Sequence, residues 1–116
     1  MDETPFGWTP AQMCTIRESC FLTREILAHD LGIDVADLEA MEEGRQPIDA
    51  ATVITLHEYD QAISSAALEI LAGDPPYTVA VRRGNDHTAR ATRAIAARVL
   101  LDAPATVVYE SEVGMV

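Results

Sequence analysis

Positively charged residues are scarce in this sequence. Its 116 residues include eight lysine or arginine residues against 19 aspartate or glutamate residues, so the formal net charge at pH 7 is −11. Proteins that bind phosphates usually present a basic face, and this balance is unusual for such a protein. The imbalance is confined to one half, since residues 1–60 hold thirteen acidic and three basic residues and residues 61–116 hold six and five.

Long hydrophobic runs and low-complexity tracts are missing as well. The longest apolar runs are only a few residues, far short of the ~18 that a membrane span requires. The N-terminus is acidic, where a signal peptide would be basic. We therefore expect a soluble, cytoplasmic protein that folds unaided, because a chain of this length with 48% hydrophobic residues can bury a core.

Cysteine is rare, and the sequence shows no catalytic motif. Cys14 and Cys20 lie six positions apart in a helical pattern, so their Cα atoms are expected ~9 Å apart along the helix axis, beyond the limit of ~7 Å for a disulfide. Both are expected to be free thiols that fill core space. His29, His57 and His87 have no ligand spacing, and we expect no metal, no cofactor and no enzyme activity.

Capping residues and apolar spacing predict four helices in residues 1–73. Thr, Asp and Gly occupy the positions where helices typically begin and end. The predicted helices are Pro10 to Cys20 after the cap Thr9, Arg24 to Leu31 between Thr23 and Gly32, a third between Asp34 and Gly44, and a fourth of about 22 residues between Asp49 and Gly73.

Residues 74–116 have a different pattern. Tyr77 to Arg82 alternates as a strand does, Ala89 to Leu101 has helical spacing with Leu100 among the inward positions, and Thr106 to Tyr109 is a second strand. Short links between them predict a β-α-β unit with parallel strands. Because a two-stranded sheet alone is marginal, we expect a second chain to extend it in a homodimer; an intramolecular sheet without dimerisation is the alternative.

Three motifs in the helical half resemble a known family. Residues 22–25 are Leu-Thr-Arg-Glu, residues 31–33 are Leu-Gly-Ile, and residues 42–48 are Glu-Glu-Gly-Arg-Gln-Pro-Ile. They resemble the Cro/C1-type (Xre) helix-turn-helix family of phage repressors. The stretch Ala-Ile-Ala-Ala-Arg-Val at residues 94–99, before a strand ending in Tyr109, resembles the C-terminal part of Aca2-type anti-CRISPR-associated regulators.

The resemblance and the predicted elements together define the expected architecture. The fold class is mainly α, with an N-terminal helix-turn-helix bundle, a long connecting helix and a small C-terminal β-α-β unit. The expected domains are a helix-turn-helix domain at 1–48, a connecting and dimerisation helix at 49–73, and a β-α-β dimerisation unit at 74–116. The resemblance implies a dimeric transcription regulator that binds double-stranded DNA.

The resemblance also implies roles for individual residues. In the family, an arginine of the first helix pairs with an acid near the end of the third, which implies a structural ion pair between Arg17 and Glu42. Phosphates are contacted at the start of the second helix and just after the third. The residues at those positions are Thr23, Arg24, Arg45 and Gln46.

The positions that read bases in the family carry unsuitable side chains here. They are Val35, Ala36, Asp37, Glu39 and Ala40 on the third helix. None makes a bidentate contact to guanine or adenine, and the acids face repulsion from DNA phosphates. The alternative function is therefore a repressor-like fold that binds a basic protein surface or mimics DNA, without reading bases.

Two further features leave alternatives open. Arg83, Arg90 and Arg93 are expected to form one basic face, which either contacts nucleic-acid phosphates or faces the acidic N-terminal halves across a dimer. Phe21 stands where the family usually has a glycine with positive φ. It implies a reshaped turn, an exposed aromatic side chain or a core-filling one.

Overall fold

The computed structural model describes residues 7–112 and shows a mainly helical chain with a small parallel sheet near its C-terminus, as predicted. The outer ends of the first and last predicted domains, residues 1–6 and 113–116, lie outside the described residues. In chain order the elements are α1 (Pro10–Ser19), α2 (Arg24–Leu31), α3 (Val35–Glu42), α4 (Ala50–Leu71), β1 (Tyr77–Val81), α5 (His87–Asp102), β2 (Ala105–Tyr109) and a 3₁₀ turn (Glu110–Glu112).

The chain forms two compact units, which divide at Asp60 and Gln61 within α4. We call residues 1–60 the N-terminal unit and residues 61–116 the C-terminal unit. In the N-terminal unit, α3 packs against both α1 and α2. The fully buried side chains at its centre are Met13, Cys20, Leu27, Leu38, Met41, Val53 and Leu56. Cys20 thus fills core space as expected, whereas Cys14 is only half-buried, and neither cysteine is in a disulfide.

A three-residue turn joins α2 to α3. The Thr23 hydroxyl accepts a hydrogen bond from the Ile26 amide at 3.1 Å, which caps α2 as predicted. Gly32 ends α2 with φ +70°, a left-handed conformation that glycine adopts without steric cost. The predicted cap by Asp34 is wrong in one respect: Asp34 occupies the cap position, but its side chain makes no capping hydrogen bond.

The turn before α2 is not reshaped. Phe21 itself adopts the left-handed conformation, with φ +59°, and its amide donates to the Glu18 carbonyl at 3.0 Å. Its side chain is half-buried, so it is neither a core residue nor a fully exposed one. The turn thus has the positive φ that the family resemblance implied at this position, at a cost of roughly 1–2 kcal/mol for a residue with a Cβ.

The C-terminal unit is the predicted β-α-β arrangement. β1 and β2 pair in parallel, from Tyr77 opposite Ala105 to Val81 opposite Tyr109. Its core consists of Ala67 from α4, Val79 and Val81 from β1, and Ala96 and Val99 from α5. Leu100, expected to point inward, is 49% exposed instead, because α5 turns the neighbouring Val99 toward the sheet. No helix in residues 7–112 is long and apolar enough to cross a membrane.

Candidate functional site

A buried ion pair joins α1 to the end of α3. The Arg17 Nε donates to Glu42 Oε2 at 2.6 Å, and its Nη2 donates to Oε1 at 3.2 Å. The Arg17 Nη1 also donates to the Leu22 carbonyl at 2.8 Å. Only 9% of the Arg17 side chain and 1% of the Glu42 side chain are exposed. The pair implied by the family resemblance is present, and its two-pronged geometry is the strongest that arginine forms with a carboxylate.

Two opposing effects set the pKa of Glu42. Burial alone raises the pKa of a carboxyl group, but the hydrogen bonds and positive charges of Arg17 and Arg24 outweigh it, and the pKa of Glu42 lies below its ordinary value. For Arg17, burial favours the neutral form, and the Glu42 carboxylate more than compensates, so the pKa of Arg17 is raised. Both groups are therefore charged at neutral pH.

Arg24, a predicted phosphate contact, is also bound by α3. Its Nε donates to Glu42 Oε1 at 3.0 Å and its Nη1 donates to Glu39 Oε2 at 3.2 Å. The hydrogen bond that Arg24 donates to Glu42 is the main reason why the pKa of Arg24 is raised. One third of the Arg24 side chain is exposed, so solvent still reaches it. Arg24 lies at the start of α2 as expected, but its positive charge is already paired with Glu39 and Glu42.

The predicted phosphate contacts after α3 lie in a tight turn. Arg45 pairs with Glu43 at 2.9 Å on the surface, with 61% of the Arg45 side chain exposed. The amides of Arg45 and Gln46 both donate to the Ala40 carbonyl, at 2.8 and 3.3 Å. Each arginine of the N-terminal unit, Arg17, Arg24 and Arg45, therefore has a glutamate partner from α3 or the residue that follows it.

The predicted base-reading face of α3 is corrected at one position. Ala40 is only 6% exposed, because α3 turns it toward the core beside Met41. Ala36 and Asp37 are exposed, and Val35 and Glu39 are half-buried. The accessible face of α3 is therefore Val35, Ala36, Asp37 and Glu39, a short apolar strip beside two carboxylates.

Besides the pairs of Arg24 with Glu42 and of Arg45 with Glu43, sequence reasoning missed two further contacts in this unit. One is Glu39 as a partner of Arg24, fifteen residues away in sequence, and the other is the Tyr59 hydroxyl, which donates to Asp30 Oδ2 at 2.7 Å. Burial and the Asp30 carboxylate raise the pKa of Tyr59. The spacing of residues along one helix gives no information about contacts between separate helices. For the Arg24–Glu39 contact, the opposite charges on α2 and α3 are the one signal in the sequence.

The predicted basic face gathers around one loop of the C-terminal unit. Arg93 on α5 donates through Nη1 to the Arg82 carbonyl and through Nη2 to the Gly84 carbonyl, the latter at 2.7 Å. Arg90 Nε donates to the Asn85 carbonyl at 3.0 Å. The Arg83 guanidinium lies over the Tyr109 ring, 3.6 Å from its centroid. We call Arg83, Arg90 and Arg93 the loop arginines.

Arg82 differs from the loop arginines. Its Nε lies 3.1 Å from both carboxylate oxygens of Glu110, and both side chains are about half exposed. Within residues 7–112, no group of three or more His, Cys, Asp or Glu side chains is placed to hold a metal ion.

The comparisons with known proteins add no relative. A scan against models of protein families finds no match to this chain, and a search of curated proteins finds none either.

Proposed function

We propose that this chain is a homodimeric helix-turn-helix transcription regulator that binds double-stranded DNA in the cytoplasm and has no catalytic activity. The observation that carries the proposal is the pair of eight-residue helices α2 and α3, joined by the turn at Gly32, with the start of α2 capped by Thr23. This is the arrangement that places one helix across the DNA backbone and the next in the major groove.

In this proposal, phosphates contact the start of α2 and the turn after α3. Thr23 and Arg24 serve at the first place, and Arg45 and Gln46 at the second. Because Glu39, Glu42 and Glu43 already pair with the two arginines, phosphates must share these cations with carboxylates. Binding is therefore weaker than for a basic helix-turn-helix protein.

The accessible face of α3 offers few base contacts. Val35 and Ala36 suit the methyl group of thymine, and Asp37 and Glu39 accept hydrogen bonds from the amino group of cytosine. We therefore expect a preference for thymine and cytosine at the contacted positions and modest discrimination overall.

Exposed apolar side chains favour a dimer through the C-terminal unit. The described residues expose five large hydrophobic side chains, and four of them lie in this unit: Leu68, Leu100, Leu101 and Val107. Leu101 is 81% exposed and Leu68 is 63% exposed. The sheet of the described residues has two strands, so each strand has one edge open to pairing with a second chain. A symmetric dimer covers this surface and presents two α3 helices to two half-sites.

A second function is favoured by the pairing of Arg24 and Arg45 with glutamates. With Asp34 and Asp37 also exposed, the surface around α3 is acidic. Such a surface is complementary to a basic protein rather than to DNA. In this reading the fold is that of a repressor, and α3 binds a basic partner or imitates the charge of DNA.

Binding of fluorescein-labelled duplex DNA to the full chain, measured by anisotropy against salt concentration, tests the first function. A pool of random-sequence duplexes serves as the probe, and selection from it yields the preferred site. Affinity is expected to fall steeply as salt rises. Absence of binding even at low salt excludes the DNA-binding function. The remaining candidate is then the second function, in which the acidic surface around α3 binds a basic protein.

Glu39→Gln sharpens this test. The substitution removes a negative charge from α3 and releases Arg24 from one of its carboxylates, so we expect DNA affinity at low salt to rise roughly threefold to tenfold. Glu58→Gln removes the same charge from an exposed position of α4 instead of α3, and its effect should be smaller. Equal effects of the two variants mean that α3 does not face the DNA.

A further inference from the structure

Arg83 and Arg93 differ from the arginines of the N-terminal unit in the groups that their guanidinium groups contact. Arg17, Arg24 and Arg45 each lie against a glutamate carboxylate. Arg93 instead donates to two backbone carbonyls, and Arg83 lies against an aromatic ring. Among the side chains of residues 7–111, no carboxylate forms an ion pair with Arg83 or Arg93, so within that part of the chain their positive charge is available to an external anion.

Neighbouring groups hold the Arg83 and Arg93 side chains in place. The register of the sheet puts Val81 opposite Tyr109, so Arg83 leaves the end of β1 beside the end of β2, and its guanidinium stacks on the Tyr109 ring. Arg93 reaches from α5 to the same loop and holds it at Arg82 and Gly84. Cations held in this way lose little side-chain entropy when they bind an anion.

We propose that the loop arginines, at the carboxyl end of the β1–β2 sheet, are the principal phosphate-binding surface of this protein, and that they contact the backbone of duplex DNA. This inference rests on the proposed function. It assigns most of the affinity for DNA to the loop arginines, and less of it to the start of α2 and the turn after α3. A chain of net charge −11 that binds DNA needs cations that are not already neutralised, and Arg83 and Arg93 meet this requirement. Guanidinium groups suit phosphate oxygens, and such contacts do not depend on base sequence.

Neighbouring arginines supply a matched pair of variants. Arg82→Gln and Arg83→Gln remove the same charge at adjacent positions, but Arg82 is paired with Glu110 and Arg83 is not. In anisotropy titrations of the full chain with random-sequence duplex DNA, Arg83→Gln should reduce the slope of log affinity against log salt by about one. Arg82→Gln should reduce it by less.

Double variants separate charge from structure. Arg83→Gln with Arg93→Gln should lower DNA affinity at low salt roughly tenfold or more and reduce the slope by about two. Arg83→Lys with Arg93→Lys keeps both charges while losing the ring stacking and the bonds to Arg82 and Gly84, and it should retain most of the affinity. An equal loss in both double variants contradicts a role for charge. Circular dichroism establishes that each variant is folded.

The outcomes distinguish this inference from the proposed function. If the wild-type chain binds DNA and the double glutamine variant binds equally well, the inference fails and the DNA-binding function stands. If the wild type binds inorganic polyphosphate through these arginines but binds no duplex DNA, the anion site stands without its DNA ligand and the DNA-binding function fails. If the variant changes only the association state in sedimentation, the arginines face a protein surface and the inference is overturned.

Discussion

The two units of this protein use arginine in different ways. In the N-terminal unit, Arg17 and Arg24 converge on the carboxylate of Glu42, and Arg17 is almost entirely buried. In the C-terminal unit, Arg83 and Arg93 are held by a tyrosine ring and by backbone carbonyls. Arginines that pair with buried carboxylates stabilise a fold. Arginines held by neutral groups have a positive charge that no neighbouring carboxylate offsets, so this charge can attract an anionic partner. The number of arginines in a unit therefore says less about anion binding than their partners do.

Replacing Glu42 gives the largest expected effect, because it breaks the arrangement of the N-terminal unit. Glu42→Ala leaves the buried Arg17 guanidinium without a counter-charge, and we expect a loss of about 3–5 kcal/mol in the free energy of unfolding. Urea titration followed by the fluorescence of Trp8, the one tryptophan in the chain, measures this loss in the N-terminal unit.

Glu43→Ala is the matched control for this prediction. It removes a neighbouring glutamate whose pair with Arg45 is exposed, and a loss of at most ~1 kcal/mol is expected. Similar losses in the two variants would show that burial does not distinguish the two ion pairs.

Acid should weaken the N-terminal unit through the same group. The pKa of Glu42 in the folded protein lies below its ordinary value near 4.5, so the stability from its ion pairs is fully present above that value. It is lost as the pH falls through the folded pKa, because the protonated carboxyl group no longer neutralises Arg17. The difference in unfolding free energy between the wild type and Glu42→Ala should therefore shrink below about pH 4.5. A difference that is constant from neutral to acid pH contradicts this account.

Local sequence signals predict much of the fold. The α2 helix has the predicted bounds, from Arg24 to Leu31, because its cap Thr23 and its stop Gly32 act on neighbouring residues. The parallel β-α-β unit followed from short links between alternating and helical segments. These features depend on residues a few positions apart, which is the range over which a single sequence is informative.

Contacts between elements account for what the sequence does not predict. Arg24 has the residue type and position of a phosphate contact, and its pairing with Glu39 and Glu42 depends on how α3 packs against α2. Ala40 is buried because the core lies on that side of α3, although the family resemblance implied a place for it among the base-reading positions. Phe21 keeps a positive φ because the turn between α1 and α2 requires it. Each outcome depends on packing across the unit.

The smallest expected effect is the interaction energy between the Arg83 guanidinium and the Tyr109 ring in the C-terminal unit. Tyr109 is half-buried and Arg83 is exposed, and a guanidinium over a tyrosine ring near the surface contributes about 0.5–1 kcal/mol. A double-mutant cycle of Arg83→Gln and Tyr109→Leu, read by hydrogen exchange of the Val79 and Val81 amides, should give a coupling energy in this range. The Arg82–Glu110 ion pair, measured by the same cycle, should lose its coupling as salt is added, because exposed opposite charges are screened.

The Arg83–Tyr109 coupling should change less with salt, since the guanidinium and the ring are in direct contact at 3.6 Å and part of their interaction is dispersion. Zero coupling, or coupling with the same salt dependence as the ion pair, means that Tyr109 does not hold Arg83 in place. Arg83 then still differs from the arginines of the N-terminal unit in having no carboxylate partner among the side chains of residues 7–111, but it is not fixed in advance for a ligand. In that case the proposed contact with DNA carries the entropy cost of ordering the Arg83 side chain, and the contribution of Arg83 to affinity is smaller.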